Sequence, residues 1–274
     1  MNGSCYIDGI DIFDEYGVFI EGDGYDELFS FPAIVDPDKN DWPEENGVEV
    51  DLSEVRLQEQ EISVTFALLG KDWIPFYAFL NSQNYREFFI PDLKRRWLLK
   101  AIEMPELIEY GSDSLFKIKF LEMSREVPDI YTPANADIGL VSSVSVDGKT
   151  LDKYGIIIVD GLEEIKRTSK QKKELSPKYT VLSDPSHSSN VKYSEKDVTL
   201  KCNMIAPDAE TFWSQYDAFL FDMIKPELRY LSYAGKMYSA YYQKSGNWIM
   251  LSNFNVIAVE FDITFCFTDY SISI

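Results

Sequence analysis

The residue types that most often carry catalysis or bind metals are scarce in this chain and poorly placed. Its only histidine, His187, lies in the polar run Ser-His-Ser-Ser at 186–189, inside a loop with no obvious partner to orient the ring. A catalytic base needs fixed geometry toward a nucleophile or a substrate proton, which such a loop rarely provides. The sequence therefore predicts an exposed histidine and gives no support for a serine or cysteine triad or a zinc site.

Three other motifs match ligand sites only in part. Residues 36–41 (Asp-Pro-Asp-Lys-Asn-Asp) resemble the start of a calcium loop, but the glycine and the bidentate glutamate that complete such a loop are missing. The glycines at 22 and 24 lack the third glycine and the helix that phosphate binding requires, and the acidic pairs at 44–45 and 163–164 flank no recognisable cleft. These motifs are interpreted as turns and solvated charge, so the sequence predicts no metal, no cofactor and no enzymatic activity.

The three cysteines are Cys5, Cys202 and Cys266, an odd number without the Cys-x-x-Cys spacing of zinc and redox motifs. They indicate neither a disulfide framework nor a metal site. We expect them to be buried, reduced thiols.

The chain is strongly acidic: among its 274 residues, 46 Asp and Glu stand against 26 Lys and Arg, for a formal net charge of -20. Such a charge disfavours binding to DNA phosphates and suits a surface that DNA must pass without adhering. A hydrophobic content of 45% with 15% aromatic residues predicts a folded core. The first residues lack a signal-peptide pattern, and no apolar run has the length of a membrane span. We therefore expect synthesis in the cytoplasm and no membrane partner.

Five short motifs occur twice, in the same order. The matching positions are 8–9 and 147–148 for an Asp-Gly turn, 16–20 and 154–158 for Tyr-Gly with three apolar residues, 24–28 and 161–165 for a glycine-led acidic segment, 59–66 and 195–202 for a strand, and 73–80 and 213–220 for a helix ending in Ala-Phe-Leu. The order predicts a tandem duplication. The first half is residues 1–124 and the second half is residues 143–274. A proline-containing stretch of little periodicity, 125–142, is the predicted linker.

Each half is predicted to contain a short hairpin, a long polar insertion, a strand, a helix and a final group of strands. Asp-Gly between apolar runs is a strong hairpin signal. The alternation of Ile62, Val64 and Phe66 with polar residues indicates a strand with one buried face. The insertions, at 31–51 and 167–190, contain prolines that exclude central strands.

We expect the helices to open at Asp72 and Asp208, whose carboxylates can accept free amide hydrogens. The predicted later strands are a hairpin at 87–91 and 96–102, its counterpart at 229–233 and 236–242, and closing strands at 115–121 and 259–267. The fold class is therefore mainly β with a helix per repeat, as two tandem β-sandwiches or partly closed barrels.

The two insertions carry opposite charge. The acidic residues are Asp36, Asp38, Asp41, Glu44 and Glu45 in the first insertion, and the basic ones are Lys170, Lys172 and Lys173 in the second. Loops of opposite charge on adjacent domains can steer and register an assembly. We therefore predict these residues at contacts between subunits; the alternative is two unrelated solvated loops.

The order of motifs resembles that of the N-terminal domain of phage distal tail proteins. It runs from Asp-Gly and Tyr-Gly-Val-Phe-Ile (16–20) through the long loop to Glu-Gln-Glu-Ile-Ser-Val-Thr-Phe (59–66), a helix and a closing hairpin, and it covers both halves. The resemblance implies the tail-tube domain shared by tube, distal tail and baseplate hub proteins, in which six domains surround a DNA channel. The chain departs from the usual distal tail pattern, in which a carbohydrate-binding-like second domain follows one ring-forming domain.

What the resemblance implies is a structural subunit of a phage or prophage tail, made in the cytoplasm and then built into the virion. Its partners would be further copies of the chain in a ring and the tube, tape-measure and baseplate proteins, with DNA only as a non-adhering cargo. A hexamer fits a distal tail ring, whereas a trimer fits a baseplate hub in which three chains supply six domains. The candidate lumen-facing acids share the outer face of their strands: Glu59, Glu61, Glu195 and Asp197.

A carbohydrate-binding β-sandwich is the alternative from another class of protein. Glycan binding to exposed Trp42, Trp213 or Trp248 would favour it. The lack of a signal-peptide pattern counts against it.

Overall fold

The structure, a computed structural model, describes residues 4–22, 24–70, 72–103, 106–110, 113–123, 131–172, 191–252 and 256–269. The candidate contact residue Lys173 lies outside this part of the chain, and so does His187, which the sequence predicts to be exposed. The described residues form two large antiparallel sheets and a separate pair of short strands. The fold is mainly β with helices added, which confirms the predicted fold class.

The described residues of the first half form ten strands and two helices. The strands are β1 (Tyr6–Ile7), β2 (Ile10–Asp11), β3 (Val18–Ile20), β4 (Lys39–Asn40), β5 (Glu49–Val50), β6 (Gln60–Leu68), β7 (Arg86–Ile90), β8 (Arg95–Ala101), β9 (Glu106–Tyr110) and β10 (Asp113–Glu122). The helices are α1 (Ile12–Tyr16) and α2 (Ile74–Asn81), and a 3-10 helix lies at Asp26–Phe29. The sheet order is β2-β1-β7-β8-β10-β6-β3, with β9 paired to β10, while β4 and β5 pair separately.

In the part of the second half that the structure describes there are seven strands and two helices. The strands are β11 (Val144–Val146), β12 (Lys149–Thr150), β13 (Ile156–Asp160), β14 (Lys196–Ala206), β15 (Arg229–Tyr233), β16 (Lys236–Ser252) and β17 (Ile257–Asp269). The helices are α3 (Leu162–Lys166) and α4 (Ala209–Met223), and a 3-10 helix lies at Leu151–Tyr154. The sheet order is β12-β11-β15-β16-β17-β14-β13.

The two sheets have the same order when their strands are matched by position along each half. Strand β1 corresponds to β11, β6 to β14, and the β7-β8 hairpin to the β15-β16 hairpin, while β9 and the β4-β5 pair have no counterpart among the described strands. Asp8 and Gly9 have φ of 51° and 80°, and Asp147 and Gly148 have φ of 49° and 81°. Two positive φ values in succession define the tight hairpin turn that Asp-Gly favours, so both predicted turns are confirmed.

The buried faces of the strands follow the predicted alternation. Ile62, Val64 and Phe66 of β6 are buried. Phe66 packs on Phe116 of the neighbouring strand β10, with ring centroids 5.6 Å apart. The predicted hairpins and closing strands are present, with β7 and β8 each starting one residue earlier. Strand β16 is longer than expected because it continues to Ser252, and β9 was not predicted.

One helix start was predicted correctly and the other was not. Asp208 is the N-cap of α4, where its side chain accepts a hydrogen bond from the Thr211 amide at 2.8 Å. Helix α2 begins only at Ile74, after Asp72 has accepted from the Ile74 amide at 3.0 Å. The short helices α1 and α3 were also missed, because five residues are too few to show a helical period.

The predicted linker is only partly described, from Tyr131 onward. There it is packed rather than free, since Ala134 and Ala136 are buried and the ring of Tyr131 lies 5.4 Å from that of Phe221 in α4. All three cysteines are free and buried, as predicted. Among the described residues, no helix has both the length and the apolarity needed to cross a membrane.

Candidate assembly surfaces

A strap of the first half, residues 29–35, packs into the second half. At its centre Phe31 stacks on Tyr216 of α4 with ring centroids 4.1 Å apart. Edge-on contacts surround it, to Trp248 at 5.1 Å and to Phe261 at 6.0 Å. All of these side chains are buried. Burial of one aromatic ring stabilises a fold by about 2–3 kcal/mol, so this cluster joins the two halves firmly.

Hydrogen bonds fix the backbone of the strap. The Tyr216 hydroxyl donates to the Ser30 carbonyl at 2.7 Å, and the Tyr242 hydroxyl donates to the Pro32 carbonyl at 2.9 Å. The Ile34 amide then donates to the Gln243 carbonyl of β16 at 3.0 Å. Strand β15 pairs with one edge of β16 only as far as Ala240. Beyond that residue the strap takes the place of β15 and provides a hydrogen-bond donor to the backbone of β16.

The β7-β8 turn of the first half makes a second contact, with the start of α4. The Trp213 indole donates to the Leu93 carbonyl at 2.7 Å, and the Arg95 guanidinium forms a forked ion pair with Asp217, with nitrogen–oxygen distances of 3.0 to 3.2 Å. The same guanidinium lies 4.2 Å from the centre of the Trp213 ring. Phe29 also stacks on this indole, with ring centroids 5.5 Å apart. The ring of Trp97 lies edge-on to the same indole at 5.8 Å, so Trp213 contacts four residues of the first half.

The first insertion continues over the end of the second sheet. The Val48 amide donates to the Thr268 carbonyl at 2.8 Å. Gly47 has φ of 69°, and a Cβ placed on it would lie 1.6 Å from that carbonyl oxygen. Only glycine combines this conformation with so close an approach to another backbone, so position 47 requires glycine.

The two charged insertions meet inside one chain. Lys172 forms an ion pair with Asp41 at 2.5 Å, and the lysine side chain is only 6% exposed. Its ammonium group also donates to the carbonyls of Trp42 at 2.8 Å and Gly47 at 2.6 Å. The pairing of opposite charges was predicted, but the structure places this pair between the halves of one molecule. A role between subunits stays a prediction for the exposed members: Asp36, Asp38, Glu44, Glu45 and Lys170.

The four predicted lumen-facing acids are not equivalent. Glu59, Glu61 and Asp197 are exposed, whereas Glu195 is half-buried and forms an ion pair with Lys39 of the first insertion at 3.1 Å. The Cys266 thiol lies 3.8 Å from the same carboxylate, and burial raises the pKa of that thiol to about 12. The insertion therefore covers Glu195, a contact that strand alternation cannot reveal.

A groove of about 630 Å³ runs between the halves beside the strap. Glu59 and Glu61 line it, together with Glu27, Lys117 and the β16 turn around Asn247. Glu27 accepts from the Ser63 amide at 2.6 Å and lies 3.5 Å from Lys117. The groove is open and polar, so it offers carboxylates to solvent rather than an enclosed apolar pocket.

A polar cluster ties the end of the predicted linker to α4. Asp222 accepts hydrogen bonds from the hydroxyls of Tyr131 and Tyr154, the latter at 2.6 Å, and from Lys225 at 2.6 Å. Burial alone would raise the pKa of Asp222, but these hydrogen bonds outweigh it and the pKa lies below its ordinary value. Burial and the same carboxylate raise the pKa of Tyr154.

Within the described residues, no group of three or more His, Cys, Asp or Glu side chains is placed to hold a metal ion. Of the three tryptophans considered for glycan binding, Trp213 and Trp248 are buried in the contact between the halves and only Trp42 is exposed, at 50%. Aromatic rings of the first half pack on Trp213 and Trp248, so of these three tryptophans only Trp42 could meet a glycan as the carbohydrate-binding alternative requires.

No family model matches the chain, and no curated protein matches its sequence. Among solved structures, the chain is similar to the crystal structure of the SPP1 Dit (gp 19.1) protein, described as a paradigm of the hub adsorption apparatus in phages that infect Gram-positive bacteria. The alignment has a TM-score of 0.33 and 17% sequence identity, and it covers 43% of this chain and 49% of that chain. The match thus spans about half of the Dit chain.

Asp41, Lys172 and Glu195 were predicted site residues and join the halves through ion pairs, but the aromatic residues of the strap and their partners were not among the predicted site residues. Phe29 and Phe31 lie at the start of the first insertion, whereas Lys166 and Thr168 stand at the matching places in the second half. The second repeat therefore has polar residues where the first has aromatic ones, and this difference is the sequence feature that indicates a special role for Phe29 and Phe31. The partners Tyr216 and Trp248 had no such signal, because apolar residues on a helix or strand are ordinarily assigned to the local core.

Proposed function

We propose that this protein is a structural, ring-forming subunit of a phage-type tail, with tandem tube-like domains at 1–124 and 143–274. It acts by assembly rather than by catalysis. In this proposal its rings surround the channel through which DNA passes, at the distal tail or the baseplate. Its partners are further copies of the chain and the neighbouring tube, tape-measure and baseplate proteins.

The observation that carries the proposal is the shared strand order of two sheets in direct contact. The orders β2-β1-β7-β8-β10-β6-β3 and β12-β11-β15-β16-β17-β14-β13 coincide position by position. A chain built from repeated units that bind one another through unlike surfaces is suited to assembly, since such contacts extend into rings or filaments. The resemblance of the motifs in both halves to tail-tube domains supports the same function.

The acidic character supports a channel that DNA does not bind. The formal net charge is -20, and Glu59, Glu61 and Asp197 remain exposed on the outer faces of β6 and β14 or next to them. Fixed negative charge repels phosphates across roughly 8–10 Å at physiological ionic strength. In the proposed ring these three carboxylates face the lumen, whereas Glu195, half-buried beneath Lys39 of the first insertion, does not.

Two stoichiometries fit the proposal. Six chains give a distal tail ring, and three chains with two tube-like domains each give a hub with approximate sixfold symmetry. The contact between the halves favours the trimer, because it already forms one domain-to-domain interface within each chain.

The test is to measure the mass of the purified chain by light scattering over a series of concentrations and to image it by negative-stain electron microscopy. We expect closed rings with a central channel at high concentration, and a mass of three or six chains. A chain that stays monomeric at its highest soluble concentration contradicts the proposal. Tight binding to a glycan array by such a monomer would instead favour the carbohydrate-binding alternative through Trp42.

Replacement of the lumen-facing acids tests the channel separately. Glu59→Lys with Glu61→Lys is expected to confer salt-sensitive binding to double-stranded DNA that the parent protein lacks. Filter binding at two salt concentrations measures it. The control is Glu44→Lys with Glu45→Lys, two exposed acids outside the proposed lumen. Equal DNA binding by both double variants would mean that Glu59 and Glu61 are no different from exposed acids elsewhere, and it would contradict their place in the lumen.

A further inference from the structure

Strand β16 is much longer than the strand beside it. It has 17 residues, and among the described strands only β15 pairs with one of its edges, from Lys236 to Ala240. Strand β17 pairs with the other edge. A long strand edge without a partner strand is a template to which a strand of another chain can add. In the first sheet, β8 has seven residues and β7 pairs with five of them, so the long edge belongs to the second half alone.

The part of β16 beyond β15 has a composition that favours such strand addition. Residues 241–252 contain one charged residue, Lys244, and residues 247–252 (Asn-Trp-Ile-Met-Leu-Ser) contain no charge, proline or glycine. Short uncharged segments rich in residues that favour strands pair readily with copies of themselves. Ile249 and Leu251 of this segment are 46% and 51% exposed. The edge would therefore promote self-association if nothing lay over it.

The strap lies over the first part of this edge. The Ile34 amide donates to the Gln243 carbonyl at 3.0 Å. The Phe31 amide donates to the Ser245 hydroxyl at 3.0 Å, and that hydroxyl lies 3.1 Å from the Phe31 carbonyl oxygen. Between them stands Pro32, which has no amide hydrogen to offer to a further strand. The strap thus occupies the edge without presenting a regular new edge of its own.

A carboxylate lies over the far part of the edge. The Met250 amide donates to Oδ1 of Asp26 at 3.1 Å, and Asp26 begins the 3-10 helix that leads into the strap. The carboxylate oxygen stands where a carbonyl oxygen of a neighbouring strand would accept the same hydrogen. An incoming strand must displace this charge or bury it, and both are unfavourable. A charge placed at a strand edge is a known protection against pairing between chains.

We propose that the strap and Asp26 together protect the edge of β16, and that an uncovered β16 pairs edge to edge with β16 of a second copy of this chain. The cover and the edge occur once each, in opposite halves. The second half has Lys166 and Thr168 where the strap has Phe29 and Phe31, and the first sheet has only the short β8. The inference does not depend on the proposed ring, because it concerns an edge that each chain covers for itself.

A labelled peptide with the sequence of residues 245–252 tests the edge directly. Its binding to the full chain is followed by fluorescence anisotropy. We expect the double variant Phe31→Ala with Asp26→Ala to bind it on the order of tenfold more tightly than the parent chain. The same peptide carrying Ile249→Pro is the control probe, since proline prevents strand pairing, and we expect it not to bind.

Two further variants separate exposure of the edge from loss of stability. Phe116→Ala removes a buried ring from the core of the first half and leaves the strap in place, so we expect no gain in peptide binding. Thermal melting shows whether the double variant folds, and Asp26→Ala alone replaces it if it does not. That single variant is expected to bind about threefold more tightly than the parent, whereas Glu44→Ala, at an exposed acid of the first insertion, should leave binding unchanged.

Three results would overturn this inference: equal peptide binding by the parent and the uncovered variants, equal binding of the proline peptide, or a gain for Phe116→Ala as large as that for the double variant. None of them bears on the ring. Rings of the parent chain in electron micrographs, without peptide binding by the uncovered variants, overturn the protected edge alone. A parent chain that stays monomeric while the uncovered variants bind the peptide overturns the proposed function and supports the protected edge.

Discussion

Helices α2 and α4 occupy the same place in the two sheets, yet they are surrounded very differently. Helix α4 spans Ala209–Met223 and buries ten of its residues, whereas α2 spans Ile74–Asn81 and buries two. Part of the difference is length, since α4 has 15 residues and α2 has eight, and part comes from the first half, whose rings Phe29 and Phe31 pack on α4. Among the described residues, no aromatic ring of the second half packs on α2.

The comparison shows that two halves with the same strand order need not be independent folding units. The core of the second half includes side chains from the first, since the buried ring of Phe31 packs against the buried rings of both Tyr216 and Trp248. The first half, in contrast, completes its own core around Phe66, Phe116 and Phe76. We therefore expect substitutions in the strap to destabilise the second half more than the first.

The largest expected effect is that of Phe31→Ala. Removal of a buried aromatic ring costs roughly 3–5 kcal/mol, and here the loss falls on the contact that couples the halves. Urea unfolding followed by tryptophan fluorescence is expected to change from one transition to two. The control Phe13→Ala, at a ring that is 48% exposed, should cost less than about 1 kcal/mol. A single unshifted transition would show that the halves are coupled elsewhere.

Gly47→Ala sharpens the comparison at the other end of the first insertion. The added methyl meets the Thr268 carbonyl, so the insertion must leave the second sheet. Gly9→Ala is the matched control, because Gly9 also has positive φ, at 80°, but has no atom within 4 Å of the place that an added methyl would occupy. We expect Gly47→Ala to cost roughly 2 kcal/mol more than Gly9→Ala in the free energy of unfolding. Equal costs would mean that only backbone conformation matters.

Lys172→Ala tests whether the meeting of the two insertions stabilises the chain. The substitution leaves the carbonyls of Trp42 and Gly47 without their charged donor, which is expected to cost about 2 kcal/mol. Lys170→Ala removes an exposed lysine of the same loop and should change stability by less than about 0.5 kcal/mol. Chemical denaturation of both variants gives the difference. If the two lysines behaved alike, the ion pair with Asp41 would be of no structural consequence.

The smallest expected effect is that of Tyr131→Phe, which removes one hydrogen bond to Asp222 and costs about 1 kcal/mol at neutral pH. Because the folded pKa of Asp222 is depressed below 3.8, the carboxylate contributes stability above that value and loses it as the pH falls through the folded pKa. The difference between variant and parent should therefore be full at neutral pH and vanish in strong acid. Thermal melts across this range measure it, with the exposed Tyr230 changed to Phe as the control.

Local signals predicted much of the fold. The alternation in β6 and β14 gave two central strands, and the Asp-Gly turns at Asp8 and Asp147 gave both hairpins, because these features depend on residues close in sequence. The start of α2 was misplaced because Asp72 caps a turn before the helix rather than the helix itself. Strand ends are equally hard to place, since pairing continues wherever a partner strand extends.

The candidate surfaces were predicted less well, for a physical reason. Exposure of Glu61 and Asp197 follows from strand alternation alone, and it is observed. Glu195 obeys the same alternation, yet Lys39 from far along the chain covers it. The contacts of Phe31 likewise depend on tertiary folding, which no local pattern encodes.

The position of Phe31 has a consequence for synthesis. The strap leaves the ribosome long before α4, β16 and β17, on which it packs. At about 5–20 residues per second, a ribosome needs roughly ten seconds or more to supply them. During that interval the nascent chain exposes an aromatic segment, Phe-Ser-Phe-Pro, because the residues on which it packs have not yet been synthesised. Chaperone capture of stalled or truncated chains is therefore expected at residues 29–32, and C-terminal truncation should yield insoluble protein.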